Sequence, residues 1–253
     1  MQLTLLGTGS AAQVPVYNCN CAACGRARQQ ARFRRGPCSA LLECRGERWL
    51  IDAGLTDLTE RFPPGTLSGI FQTHYHADHA QGLLHLRWGK NLRIPVLGPP
   101  DPDGLADLYR HPGILDFSKT LTAFRPEAMN GFTVTPVPLV HSRLTFGYVF
   151  EAHGQRFAYL TDTVGLPEAT AAFLQGSAID VLVLDCSFAP ASVAPRNHND
   201  LTRALEIVQS LKVKETVLTH IGHGFDAWLM DNAGALPEGV RLAYDGMVLG
   251  TKG

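Results

Sequence analysis

Residues 73–79 read THYHADH: three histidines and an aspartate within seven residues, just after the apolar run LSGIF at 67–71. His74 and His76 flank a tight loop, while Asp78 and His79 open a predicted helix. Alternate residues can therefore face two adjacent positions, so one motif can serve two ions. Mixed imidazole and carboxylate donors suit zinc, manganese or iron, whereas magnesium or calcium would call for a nearly all-oxygen set. A His-x-His pair alone is weak evidence, because most histidines are ordinary core or surface residues. This chain adds three more metal-capable residues in equivalent places. His141 follows the strand-like run FTVTPVPLV, Asp162 ends FAYLTD, and His220 ends ETVLTH. His74, His141, Asp162 and His220 all fall at carboxyl ends of predicted strands, which converge on one rim of a sheet and leave room for substrate between the loops.

Length and composition bound the reading. The 253 residues are 45% hydrophobic and 18% charged, which fits one globular domain over 1–253 with a substantial core. A net charge of -1 offers no global basic field for nucleic acid or an anionic membrane. No apolar stretch approaches the roughly 20 residues of a membrane span, and MQLTLLGTGS lacks the layout of a secretory signal. The expected location is the cytoplasm. Six cysteines are sparse for a disulfide scaffold, and three of them, Cys19, Cys21 and Cys24, crowd into NCNCAAC at 18–24. Cys38, Cys44 and Cys186 are isolated and read as small buried residues.

Strand-like runs recur as QLTLLG, SALLEC, RWLIDA, GIFQT, FTVTPVPL, TFGYVFEA, RFAYLTD, DVLVLDC and ETVLTH. Helical patterning is confined to 24–32, 78–86, 102–110, 167–175 and 200–212. This mixed order predicts an α/β fold of two sheets packed face to face with helices outside, rather than a doubly wound parallel sheet. The Pro- and Gly-rich stretch 95–113 reads as a long functional loop.

With Asp52 in LIDAG, followed by His141, Asp162 and His220, the HYHADH motif resembles the pattern of the metallo-beta-lactamase superfamily. The resemblance implies an αββα sandwich with metals at the rim between two mixed sheets. It further implies that His74, His76 and His141 hold one ion, that Asp78, His79 and His220 hold another, that Asp162 bridges, and that Asp52 orients a ligand. A complete set with aspartate at the bridging position is similar to the dinuclear phosphodiesterase branch. Two divalent ions outweigh the carboxylates of Asp78 and Asp162 and one hydroxide, so such a site stays cationic and favours an anionic phosphodiester.

Three thiolates lack a fourth tetrahedral ligand nearby; His223, three residues after His220, could supply it to a structural zinc, the alternative being three reduced thiols. This insertion, together with LTLLGTG, LRWG, HPGILDFS, HSRLTFGY, APRNHNDL, GFDAWLM and DGM, resembles the phosphodiesterases of the carbon-phosphorus lyase pathway almost end to end. NCNCAAC after a glycine loop also resembles a protein family of pyrroloquinoline quinone biosynthesis. The first resemblance implies hydrolysis of 5-phosphoribosyl 1,2-cyclic phosphate to ribose 1,5-bisphosphate in phosphonate catabolism, by a homodimer. It gives His198 the role of general acid, with Asp78 also counted as catalytic, and places Arg143 and Ser142 at the substrate. Two catalytic ions are expected, manganese favoured and zinc or iron acceptable. Two rivals are transfer-RNA 3'-end processing, which lacks the expected long basic insertion here, and a metal-binding scaffold without catalysis, whose ligand set would be incomplete.

Overall fold

The computed structural model describes residues 1–193 and 195–250; residues 194 and 251–253 of the expected 1–253 unit lie outside the described residues. Among the described residues, fourteen strands form two seven-stranded mixed sheets. The first contains β1 (Gln2–Gly7), β2 (Ser39–Cys44), β3 (Glu47–Ile51), β4 (Gly69–Phe71), β5 (Ile94–Leu97) and β6 (Leu115–Asp116) in sequence order, with the late strand β14 (Met247–Gly250) returning beside β1. The second runs from β7 (Glu127–Ala128) through β8 (Thr133–Pro138), β9 (Phe146–Ala152), β10 (Gln155–Leu160), β11 (Ile179–Asp185) and β12 (Val213–Thr219) to β13 (Val240–Leu242). In both sheets one half is parallel: β3 to β6 and β10 to β13.

The layering follows from where apolar side chains go. Leu3, Leu5, Leu42, Ile51 and Phe71 from the first sheet share one buried cluster with Tyr148, Phe150, Phe157, Val183 and Val217 from the second, so the sheets pack face to face. Outside the first sheet, Leu50 and Ile70 pack with residues of α2 (Leu58–Arg61), α3 (Ala77–Ala80), α4 (Leu83–Leu86) and α5 (Ala106–Arg110). Outside the second, Leu182, Leu184 and Leu218 meet α6 (Glu168–Gln175), α7 (Leu201–Ser210) and α8 (His223–Asp231). A strand such as β11, buried on both faces, must read as a continuous apolar run, and IDVLVLD does. This is the expected αββα sandwich; α1 (Ala22–Gln29) packs against α8. Among the described residues no helix is long and apolar enough to cross a membrane.

Several elements differ from their sequence expectation. The helix expected over 78–86 is split into α3 and α4: Gln81 and Gly82 keep helical dihedrals, but Gly82 N–H donates to Ala53 O at 2.7 Å instead of to its own helix. The 95–113 stretch is not all loop: β5 overlaps its start and α5 lies within it. α8 was unforeseen because GFDAWLM reads as a motif, with apolar and polar residues too few to show a period. Cys38, Cys44 and Cys186 are buried, as expected.

One contact fixes the motif loop against β3. A Cβ on Gly54 would lie 1.7 Å from Asp78 O, a distance only glycine permits. Gly54→Ala should therefore force α3 outward, at a cost of about 1–3 kcal/mol. The expected readout is a melting temperature lower by several degrees together with weaker metal retention. An unchanged melting curve would mean that α3 yields freely.

Candidate metal centre and its surroundings

The rim is built from strand ends with an unusual backbone. Asp52 after β3, Asp162 after β10 and His220 after β12 all adopt left-handed φ, at 59°, 64° and 60°. Non-glycine residues rarely enter this region, and such strain tends to sit where function requires it. Surrounding bonds hold it: Asp52 N–H donates to Phe71 O at 2.9 Å, and Ile221 N–H to Thr8 O at 2.8 Å. Each left-handed residue ends the strand alternation and turns its side chain over the rim.

The seven expected ligands meet there. His74 Nε2 and His141 Nε2 lie 2.9 and 3.0 Å from His76 Nδ1. Asp162 Oδ2 is 3.7 Å from His74 Nε2 and 3.6 Å from His141 Nε2, closing one four-residue group. On the other side His79 Nε2 is 3.3 Å from both Asp78 Oδ2 and Asp162 Oδ2, and His220 Nε2 is 3.8 Å from Asp78 Oδ2 and 3.5 Å from Asp162 Oδ1. Asp162 thus stands between two groups, each able to hold an ion.

The remaining ring nitrogens are anchored in the protein. Thr73 Oγ1 sits 3.0 Å from His74 Nδ1, Asp52 Oδ2 2.7 Å from His79 Nδ1, Asn197 O 3.1 Å from His141 Nδ1, and Ser187 Oγ 2.8 Å from His220 Nδ1. Such outer contacts fix tautomer and ring orientation for a metal. Among the described residues the inward His79 Nε2 and His220 Nε2 are buried without a hydrogen-bond partner, a costly arrangement that a cation would resolve. The donor set therefore fits two divalent ions. Burial pushes the His74, His76 and His141 imidazoles below their usual range, toward the neutral form a metal requires. Burial alone would raise Asp162, but the His220 and His79 imidazoles hold it well below the usual carboxylate range.

His198 lies beside this centre, its ring stacked on His220 at 4.6 Å and 5.1 Å from His141. Its Nδ1 is 2.7 Å from Asp185 Oδ2. Burial lowers the imidazole pKa, yet the hydrogen bond and charge of Asp185 outweigh it and raise the value to about 8. Asp185 also accepts from Thr163 N–H and from Ser187 Oγ, both at 3.0 Å, so one carboxylate steadies His198, the Ser187 that braces His220, and the backbone beside Asp162. Sequence reasoning missed Asp185 and Ser187. The available signal was position: Asp185 is the last residue of β11, a strand end like the others.

Ser142 is exposed, with Oγ 3.5 Å from His76 Nε2. Arg143 Nη1 donates to Tyr75 O and Gly104 O at 2.8 and 2.9 Å, and Nε lies 3.7 Å from Asp101, so this guanidinium braces the loop at 101–104.

The thiol cluster forms a second centre. Cys19, Cys21, Cys24 and His223 offer ligand atoms within 4.8 Å of one another, with His223 Nδ1 3.4 Å from Cys19 Sγ and 3.5 Å from Cys21 Sγ. Burial pushes the Cys24 thiol up to about 11, so thiolate there calls for a cation. Four convergent donors of this type match tetrahedral structural zinc.

Residues 47–221 match the family model of the Beta-lactamase superfamily domain. A solved structure described as a new diphosphatase from the PhnP family superposes with a TM-score of 0.83 at 28% identity, covering 99% of this chain and 98% of that one. Zn(2+)-bound PqqB from Methylobacterium extorquens gives a TM-score of 0.79 at 21% identity over 99% of this chain and 100% of that one, a likeness of fold. Zinc phosphodiesterase ELAC protein 1 of Homo sapiens is 26% identical over 153 residues, 59% of this chain and 32% of that protein, so the chain spans about a third of that relative's length.

If the thiol cluster holds zinc, Cys21→Ser should remove one tightly held zinc per chain and lower the melting temperature. Turnover should change less than stability, because four protein ligands leave no place for substrate. Elemental analysis decides: unchanged zinc per chain would remove these cysteines from the ligand set.

Proposed function

The chain belongs to the beta-lactamase superfamily and is a hydrolase of the metallo-beta-lactamase fold, and from that premise we propose that it is a dinuclear phosphodiesterase opening 5-phosphoribosyl 1,2-cyclic phosphate to ribose 1,5-bisphosphate. The observation that carries the reading is the pairing of His198 with Asp185 beside a complete ligand set shared through Asp162. The names of two relatives, a diphosphatase and a zinc phosphodiesterase, support hydrolysis at phosphorus.

In this reading His74, His76, His141 and Asp162 hold one ion, and Asp78, His79, His220 and Asp162 the other. When bound, the pair supplies a Lewis-acidic centre for the phosphoryl group and makes hydroxide available near neutral pH. The chain's own residues do the rest. Asp185 keeps the His198 Nδ1 proton in place, so the second ring nitrogen is the one that serves the reaction. With a pKa raised to about 8, His198 carries a proton at neutral pH and gives it to the departing ribosyl oxygen. Ser142, exposed beside His76, is a candidate contact for the phosphate. Arg143 acts through the loop it braces and offers its remaining donors to substrate.

The proposal includes manganese as the favoured catalytic metal, with zinc or iron possible, and zinc at Cys19, Cys21, Cys24 and His223. It also includes a cytoplasmic homodimer acting on a small phosphorylated sugar in phosphonate catabolism, without nucleic-acid or membrane partners. A second reading, cleavage of a diphosphate ester, is favoured by the diphosphatase neighbour at 28% identity.

Assays of the metal-replete protein on cyclic ribose phosphate, diphosphate esters and precursor transfer RNA test these readings, with the highest kcat/KM expected on the cyclic ester. His76→Ala or Asp162→Ala should abolish that turnover while the protein stays folded, and near wild-type rates would sink the dinuclear assignment. His198→Ala should lose about 10²- to 10⁴-fold on a ribosyl leaving group and much less on p-nitrophenyl esters, whose leaving group needs no acid. Equal losses on both would make His198 a substrate-positioning residue.

A further inference from the structure

A cavity of about 640 Å³ lies between α1, the 3-10 turn Ala31–Phe33, α8 and the segment 242–244. It shares no residue with the metal centre. Arg26, Arg32, Arg34 and Arg35 line it against a single carboxylate, Asp226. That carboxylate is already divided, with Arg26 Nη2 3.0 Å from Oδ1 and Arg35 Nε 3.2 Å from Oδ2. Arg26 and Arg32 both sit over the Phe33 ring, at 4.0 and 4.8 Å. The polar contacts of Arg32 and Arg34 go to Gln30 Oε1 and Ala27 O, so among the described residues neither meets a carboxylate. Arg26 Nε is buried with no hydrogen-bond partner among the described residues.

The excess is visible along the chain. Residues 1–42 contain Arg26, Arg28, Arg32, Arg34 and Arg35 and no Asp or Glu, although the whole protein carries a net charge of -1. Guanidinium groups gathered this closely repel one another unless an anion joins them, and their planar forks match phosphate oxygens. The remaining wall is apolar, formed by Leu229, Met230, Leu242 and Tyr244, and leaves Met230 40% and Tyr244 54% exposed. A cationic wall facing an apolar one, in a cavity within the range of about 300–1,000 Å³ usual for small-ligand sites, suits a flat molecule bearing phosphates.

We propose that this cavity is a second ligand site that takes a nucleoside diphosphate. The diphosphate lies against Arg32 and Arg34, and the base against Tyr244 and Met230. The thiol cluster lies on the same two helices, with Cys24 two residues before Arg26 on α1 and His223 three residues before Asp226 on α8. The site does not depend on the phosphodiesterase reading.

Calorimetric titration of the metal-replete full chain with ADP, and separately with inorganic diphosphate, tests it. ADP should bind the wild type and Asp162→Ala alike, and bind Arg32→Ala/Arg34→Ala about 10²- to 10⁴-fold more weakly, the loss expected for two charge-assisted contacts. Tyr244→Ala should weaken ADP while leaving diphosphate unchanged. Turnover by the double arginine variant should match wild type, which separates this site from the metal centre. ADP binding that disappears in Asp162→Ala and survives in the arginine variant would place the nucleotide on the metals and overturn the proposal. So would the absence of binding to the wild type at millimolar ADP.

Discussion

A carboxylate with no exposed surface must be surrounded by donors or it costs several kcal/mol, and Asp52 meets that demand by drawing the rim together. Its oxygens accept from Gln72 Nε2 at 3.1 Å, Thr73 N–H at 2.8 Å and Thr73 Oγ1, while His79 Nδ1 lies 2.7 Å away. These partners come from the end of β4 and from α3, so satisfying one buried charge joins the strand to the motif helix. Gln72 Nε2 reaches further, to the carbonyls of His74 and His79, and wraps THYHADH around the same point. His74 and His79 take their positions from this arrangement.

The sequence made the rim cluster legible because His74, His141, Asp162 and His220 are metal-capable side chains placed where apolar runs stop. The sandwich was legible for the same reason, since its strands are buried on one or both faces and read as apolar runs. Asp185 and Ser187 were not, because their role is to touch residues 13 and 33 positions away, His198 and His220, and no local pattern encodes that. The edge strands β6 and β7 have two residues each, too short for a period to appear. Two residues of good capping type, Asn199 and Asp200, stand side by side before α7. Asp200 accepts from Arg203 N–H, while Asn199 is fully buried between Gly165 N–H and Asp185 O. Which of two good cap formers caps a helix depends on what the other is needed for.

The two His-containing centres divide their work. Around the Asp162 centre the wall is incomplete: Val140, Leu144 and Phe188 remain exposed beside His141 and His198. Apolar groups at the mouth of a charged cleft help exclude water once a substrate covers them. The thiol cluster has its four donors turned on one point and sits where α1 meets α8, beside the ion pairs of Asp226 with Arg26 and Arg35. The Asp162 cluster keeps exposed apolar groups at its mouth, and the thiol cluster brings the start of the first helix against the start of the last, a join between distant parts of the chain.

That fastening has a consequence for how the chain is made. Cys19 and His223 are 204 residues apart, and β1 likewise awaits β14 as its outer neighbour. At about 5–20 residues per second, a ribosome needs about 10–40 s to deliver the imidazole after the thiols have emerged. For that interval Cys19, Cys21 and Cys24 are nascent thiols close together without their partner. The N-terminal segment therefore waits for β14 and His223, made near the other end of the chain, before all its contacts can form.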